Sequence, residues 1–417
     1  MVRWDDLRRE PFRIFFPLAT VLGLLGVNHW LIYALGWSSS YSGAYHAGMQ
    51  VGGYMLGFIT GFLLTALPRF AAAEPATTGE LILMLTLFLA QSLLLSSGRW
   101  MAAQASFAAL LVALAVFAGR RFAQRRSGVG PPAEFIWILL AILQGLIGSG
   151  LLIGVQAGWF PVWLLRVGRP MAQQGFLLSI VIGVGGFMAP RLLGRGYLLV
   201  NPAGVSEQQA RWIRWQRVRL HLLAGAALVV SFVVEGAGAV SLAYGLRAAV
   251  VTAEFAWTAQ FYRPPSTQER YVTFLWLSLW MILIGLWGPV VAPRYRVAML
   301  HAAFIGGFSL MAFAVATMVV LSHGGRGGEL RQPLRVLKTV GAGIALAVIA
   351  RLAADLQPTL FFQWLGVAAA CWSLAALGWL CFSLPHITRR VPSGTFERAH
   401  DEVKRQVAPS AAVSQRP

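Results

Sequence analysis

Twelve apolar segments, each about as long as a membrane-spanning helix, constrain this chain more than any other feature. A helix needs about 20 mostly apolar residues to cross a bilayer. The stretches between the segments are too short for a soluble domain. The sequence therefore predicts an all-α, polytopic integral membrane bundle of twelve transmembrane helices. The predicted segments are 14–35, 45–67, 80–97, 100–118, 134–155, 171–190, 218–237, 239–262, 271–290, 297–321, 334–354 and 359–384.

Composition supports this class of protein. Only 12% of the 417 residues are charged and the mean hydropathy is +0.65, whereas a soluble domain carries roughly 25% charged residues. These values exclude a soluble enzyme and a disordered chain. The predicted organisation is one twelve-helix membrane domain over residues 1–387. A basic and mostly disordered cytoplasmic tail is expected over residues 388–417.

The positive charge of the chain is an orientation signal. The net charge is +19, and 24 of the 34 Lys and Arg residues fall in the termini and in alternate loops, whereas the opposite loops hold five. Cytoplasmic loops of membrane proteins hold the excess of basic residues. Both termini are therefore predicted to be cytoplasmic. Membrane lipid is the expected partner, and no nucleic acid is expected.

A helix start is marked ahead of the seventh segment. Ser206 followed three residues later by Gln209 is the pattern of a capping box. Arginines and tryptophans alternate over residues 211–217, a mixture suited to the lipid headgroup layer. The sequence predicts an interfacial helix that leads into the seventh span.

Ionisable residues inside a membrane are costly and are therefore functional candidates. Arg247 and Glu254, seven residues apart in the eighth segment, share a helix face. A structural ion pair, hydrogen bonding between helices and a proton path all account for them at this point.

The histidines fall into two groups by predicted depth. Two histidines on different helices at one depth are what a bis-imidazole haem requires. Small residues follow His46 in the second segment and His301 in the tenth, which indicates room for a flat macrocycle; helix packing and ordinary hydrogen bonding explain the same residues. The outer group is His29, His46 and His301, and the inner group is His221, His323 and His386.

Three stretches resemble the NnrS family. They are Gly61-Phe62-Leu63-Leu64-Thr65-Ala66-Leu67-Pro68, Leu321-Ser322-His323-Gly324-Gly325-Arg326 and Arg219-Leu220-His221. The resemblance implies a bacterial inner-membrane protein that binds haem and copper and is associated with denitrification and nitric oxide tolerance.

The resemblance also implies site residues. His46, His301, His221 and His323 match histidines of the family motifs and are the candidate metal ligands. A b-type haem between helices 2 and 10 would contact His46, His301, His29, Gln50 and Arg326; Arg326 is available for a haem propionate or for a lipid phosphate. The family usually continues after its first histidine with a second His and a Glu. This chain has Gly48, Met49 and Gln50 there, so a ligand or proton carrier of the usual family site is missing, and copper is less expected than haem.

Three functions follow as hypotheses. The first is a haem protein of electron transfer or nitric oxide handling, with a redox partner or respiratory complex. The second is a secondary transporter coupled through Arg247 and Glu254. The third is a cofactor-free membrane subunit of a respiratory complex. A weaker similarity to haem-copper oxidases stops at His46 and His301, and the sixth segment has no histidine, so no binuclear centre of their type is predicted. Whether the protein is an enzyme stays open.

Overall fold

The computed structural model describes residues 3–126, 131–195 and 206–389, which form a helical bundle. Twelve long helices, α1–α12, follow one another through short connections, and the described residues contain no strand. Their bounds are α1 Phe12–Ala34, α2 Gly43–Ala71, α3 Thr78–Ser96, α4 Trp100–Ala123, α5 Ala133–Gln156, α6 Val162–Leu192, α7 Glu207–Gly236, α8 Val240–Glu254 with a π-helical continuation Phe255–Ala259, α9 Arg270–Val291, α10 Pro293–His323, α11 Arg335–Leu356 and α12 Pro358–Ile387.

The predicted polytopic helical bundle is confirmed. Each of the twelve predicted segments overlaps one helix, and 11 helices of the described chain are long and apolar enough to cross a membrane. The exception, α8, carries Arg247 and Glu254, which lower its hydropathy. The cytoplasmic placement of both termini stays a prediction, and most of the predicted tail, residues 390–417, lies outside the described residues.

Two helices begin earlier than their apolar segments. α6 starts at Val162 and α7 at Glu207, whereas the apolar windows begin at residues 171 and 218. Arg166, Arg169 and the 211–217 arginines lower local hydropathy without breaking the helix, because arginine is a good helix former. The predicted capping box is confirmed: the Ser206 side chain accepts from the Gln209 amide, and the Gln209 side chain accepts from the Ser206 amide.

Three helices form the interior of the bundle. In the most apolar windows of α2, α6 and α10, 83%, 67% and 67% of residues are buried, whereas no other span exceeds 50%. Each of the three also contains an internal π-helical stretch, namely Met49–Met55, Met171–Gly175 and Ala302–Ser309. The interior position therefore recurs every fourth helix along the chain.

The two ends of the bundle differ in character. At one end, called the basic end here, Arg13 of α1 donates to the carbonyls of Ile387, the last residue of α12, and of Arg389 just after it. His323 at the end of α10 contacts Glu10 at this end. At the other end, called the cavity end, the start of α2, the start of α6 and the α7–α8 connection surround a large cavity.

Candidate functional site

A cavity of about 990 Å³ lies at the cavity end of the bundle. It is bordered by all three interior helices and by α1, α7, α8, α11 and α12. Its lining includes the apolar residues Val27, Met55, Phe304, Leu365 and Trp372. It also includes polar residues of α6, α7 and α8. A cavity of this size between helices, with convergent polar groups, is the usual form of a ligand or cofactor site.

His46 and His301 both line this cavity and lie next to each other. His301 lies one residue before the π-helical stretch of α10. His46 lies about one turn before the π-helical stretch of α2. Their ring centroids are 6.3 Å apart and their ring planes differ by 14°. The sequence predicted these two residues at one depth, and the structure brings them together.

Backbone carbonyls occupy one nitrogen of each ring. His46 Nδ1 lies 2.8 Å from the Gly26 oxygen, and His301 Nδ1 lies 2.6 Å from the Val297 oxygen. A carbonyl only accepts, so Nδ1 carries the proton in both rings. Nε2 of each imidazole therefore keeps its lone pair, which is the state that binds a metal.

His29 is a third imidazole in this cluster. Its ring centroid is 5.9 Å from that of His46, and its Nδ1 lies 3.1 Å from the same Gly26 oxygen. Its Nε2 is buried and has no hydrogen-bond partner among the described residues. One carbonyl of α1 thus orients two histidines.

Gln50 and Met49 have different positions relative to the cavity. Gln50 borders it and donates from Nε2 to the Gly23 oxygen at 2.9 Å. Met49 is fully buried against α1, where an ideal Cβ on Gly26 would lie 2.5 Å from the Met49 Cβ. Gln50 therefore lies beside the histidines, whereas Met49 packs against α1.

Four arginines border the cavity. Arg351 of α11 is buried and pairs with Asp355 at 2.9 Å, and Arg296 of α10 pairs with Glu235 at 3.0 Å. Arg166 and Arg169 come from the first turns of α6. Arg351 was not among the site residues predicted from the sequence, because it lies inside an apolar segment. A charge is costly at such a position, and this cost was the signal that could have identified Arg351.

Arg326 and two further histidines lie at the basic end instead. His323 Nδ1 is 2.8 Å from Glu10, and Arg326 is 3.5 Å from His386 Nδ1 and paired with Glu329. His301 lies near the start of α10 and His323 is its last residue. The rise of the helix places these two residues about 30 Å apart. Arg326 is therefore out of reach of a group held between His46 and His301, contrary to the proposed propionate contact.

His221 stands apart from both groups. It is buried in α7, where its Nδ1 lies 3.1 Å from Glu254 Oε1 and 3.1 Å from Trp137 Nε1. The interpretation of Arg247 and Glu254 as a pair is wrong, because Arg247 binds Glu235 at 2.7 Å. Seven residues along α8 span about 10 Å, which is too far for a direct ion pair. The transporter hypothesis thereby loses its coupling pair.

Comparison with known proteins gives one match. The family model described as NnrS protein matches residues 6–390, a range that includes all twelve helices. No curated protein matches the chain.

Proposed function

The chain belongs to the NnrS family and is thus a membrane protein of the nitric oxide response. From this premise we propose that it holds a haem between α2 and α10 and acts in electron transfer. His46 and His301 are the proposed axial ligands. The proposed location is the bacterial inner membrane. A redox partner would supply or accept the electron.

The geometry of the histidine pair carries the proposal. Two imidazoles that bind one metal ion from opposite sides, with nitrogen about 2 Å from the metal, have ring centres roughly 6 Å apart. The observed separation is 6.3 Å, and both Nδ1 atoms are already bonded to carbonyls. The donor set suits haem iron, which takes one imidazole on each face.

The surroundings suit an amphipathic macrocycle. Phe304, Leu365 and Trp372 contribute apolar surface to the lining of the cavity, and Arg351 and Arg296 provide cationic groups for carboxylates. Guanidinium and carboxylate groups form charge-assisted, often bidentate hydrogen bonds. Arg351 and Arg296 therefore replace Arg326 as the proposed propionate partners.

Ligation by two histidines favours electron transfer over binding of a gas at the iron. When bound, haem would supply a reversible one-electron change. His46 and His301 would hold the haem, and with both imidazoles bound to it no protein-free site for a gas would be provided. In this proposal the Gly26 and Val297 carbonyls orient the two rings, and the apolar residues of the lining limit access of water.

Copper has less support than haem. The residues that replace the usual ligands are Gly48 and Met49, and Met49 packs against α1. No group of three or more His, Cys, Asp or Glu residues in the described chain could hold a metal ion. The pair His46 and His301 supplies the two imidazoles that a bis-histidine haem takes.

Absorption spectroscopy of purified protein tests the proposal. Wild-type protein is expected to show a Soret band with about one iron per chain, and His46→Ala or His301→Ala is expected to lower haem occupancy about tenfold or more. His386→Ala, at the basic end, is the matched control and should keep the spectrum. Wild-type protein without iron or Soret absorbance, or haem retained in both alanine variants, would contradict the assignment.

A further inference from the structure

Arginine is concentrated at the cavity, on a side of the bundle that has few basic residues. The loops predicted to face away from the cytoplasm hold five Lys and Arg residues, and three of these, Arg166, Arg169 and Arg296, line the cavity. The outer side of a membrane protein is normally poor in basic residues. The gathering of three of them at one cavity therefore indicates a binding role and not an orientation signal.

The carboxylates near the cavity do not neutralise these arginines. Glu235 is the one carboxylate among the described residues that line the cavity, against four arginines, of which the one on α11 has its own partner. Glu235 is shared between Arg247 at 2.7 Å and Arg296 at 3.0 Å, so this group keeps an excess positive charge. No carboxylate of the described chain pairs with Arg166 or Arg169. The charge balance therefore favours an anion from outside the chain.

One face of α6 presents two arginines and a glutamine to the cavity. Side chains three residues apart on a helix have Cβ atoms about 5–6 Å from each other, so the guanidinium groups of Arg166 and Arg169 can contact one small ligand. Gln173, one turn after Arg169, makes no side-chain hydrogen bond with any described residue and adds a free amide. The α6 residues that line the cavity recur at helical spacing: Val162, Leu165, Arg166, Arg169, Pro170, Gln173 and Gln174.

A buried polar network lies below the α6 arginines and fixes the wall of the cavity. Gln174 accepts from Arg247 at 2.6 Å and donates to the Tyr244 hydroxyl at 3.1 Å. Arg247 and Tyr244 are both 0% exposed. The rise of the helix places Arg169 about 8 Å and Arg166 about 12 Å beyond Gln174, towards the start of α6. The network is thus saturated by its own hydrogen bonds, whereas the arginines nearer the mouth of the cavity are available.

The donor set determines the class of ligand. A guanidinium group presents its N–H donors in a planar fork that matches two oxygens of one anion. Arg166 and Arg169 are exposed where they line the cavity, so a solute can reach them. Residues of α7, α8 and α10 line the same cavity, which provides room for a small molecule. The exposed Trp159 and Trp163 before α6 do not line it and suit the lipid headgroup layer instead.

We propose that Arg166, Arg169 and Gln173 bind a small planar oxyanion at the mouth of the cavity, either a carboxylate or an inorganic anion of the same shape. The two guanidinium groups donate to its oxygens, and the Gln173 amide supplies a further donor. The anion is a free solute and a ligand separate from the haem. The proposal goes beyond haem binding and does not depend on it, because none of these residues is a proposed axial ligand or propionate partner.

Isothermal titration calorimetry in phosphatidylcholine nanodiscs tests the site, with sodium formate and sodium nitrate as probes at constant ionic strength. Wild-type protein is expected to bind one anion per chain. Arg166→Gln or Arg169→Gln should raise the Kd about tenfold, because each removes a charged hydrogen-bond donor. Arg169→Lys, which keeps the charge and loses the planar fork, should give an intermediate Kd.

Arg99→Gln is the matched control. Arg99 is an exposed arginine of the same end and does not line the cavity, so its loss should leave the Kd unchanged. Circular dichroism establishes that each variant is folded. No binding by the wild type, the wild-type Kd in both α6 variants, or an equal loss in Arg99→Gln would each overturn the proposal.

Two further measurements distinguish the solute from other occupants. Haem-free His301→Ala protein should bind formate with the wild-type Kd, and Arg166→Gln and Arg169→Gln should keep the Soret band. Loss of formate binding in the first case would place the anion at the histidine pair, and loss of the Soret band in the second would assign the arginines to haem propionates. Either result would overturn the proposal, whereas a wild type without Soret absorbance contradicts the haem assignment alone.

Lipid composition provides the last comparison. Nanodiscs of equal parts phosphatidylcholine and phosphatidylglycerol should give the same formate Kd as phosphatidylcholine alone. A weaker apparent affinity for formate in the anionic nanodiscs, absent in Arg99→Gln and in the α6 variants, would identify a lipid phosphate as the occupant. That result would overturn the assignment to a free solute.

Discussion

A single backbone carbonyl organises the histidine cluster at the scale of residues. The Gly26 oxygen accepts from His46 at 2.8 Å and from His29 at 3.1 Å. A side chain at Gly26 would meet Met49 Cβ at 2.5 Å and Gln50 Nε2 at 2.8 Å. Glycine therefore allows α1 and α2 to approach closely enough for the shared hydrogen bond, which leaves Nε2 of His46 available.

Glu10, just before α1, makes the stability of the basic end pH-dependent. Burial raises the pKa of this carboxyl, but His323 at 2.8 Å and Arg13 at 2.6 Å lower it more, so the pKa lies below the ordinary value of 4.5. A depressed pKa stabilises the folded state above the unfolded pKa, and this stabilisation is lost as the pH falls through the folded pKa. We expect Glu10→Gln to destabilise the protein by about 1–3 kcal/mol at pH 7.

Thermal unfolding in detergent between pH 7 and pH 3 measures this effect. The difference in Tm between wild type and Glu10→Gln should shrink towards the acid end of the range, as the pH falls towards the lowered pKa of Glu10 in the folded state. Asp5→Asn is the control, because Asp5 is exposed and its ion pair with Arg8 contributes little. A Tm difference that is the same at every pH would show that the charge of Glu10 is not responsible.

Some site residues could be predicted from the sequence and others could not. His46 and His301 could be paired because topology assigns depth, and depth is what two ligands of one haem must share. The partners of Glu254 and Arg247 could not be found in this way. Their contacts join different helices, and spacing within one helix does not determine which neighbour it packs against.

At the scale of elements, π-helical stretches inside the span distinguish the interior helices; that of α8 lies at the helix end. Such stretches widen a helix by one residue per turn and are frequent at functional sites. In α10 the stretch Ala302–Ser309 follows His301 directly, and in α2 the stretch Met49–Met55 begins three residues after His46. Hydropathy located both helices to within a few residues, but it contains no signal for a change in hydrogen-bond register.

Deleting Ile305 from α10 tests the importance of this register. Loss of one residue rotates the His301 turn by about 100° relative to the rest of the helix. Haem absorbance is expected to disappear while circular dichroism keeps its helical intensity. Deleting Ser39, an exposed residue of the α1–α2 connection, should preserve the spectrum. Unchanged haem binding after the Ile305 deletion would mean that the helix restores the ring position.

For the whole molecule, the basic residues predict which end faces the cytoplasm. Ser39 lies in the connection between α1 and α2, and Gln332 lies between α10 and α11; both are exposed. In a chain with Cys371→Ser and Cys381→Ser, we expect Ser39→Cys to react with an impermeant maleimide on spheroplasts. Gln332→Cys should react only after lysis. The opposite pattern would invert the topology.

The placement of His46 and His301 has a consequence for biogenesis. About 250 residues separate them, and a ribosome adds about 5–20 residues per second. Roughly 10–50 s therefore pass between synthesis of the two histidines, during which α2 resides in the membrane with an incomplete site. A ligand that needs both rings can be captured only after α10 has been inserted, so loading is necessarily a late, post-insertional step of maturation.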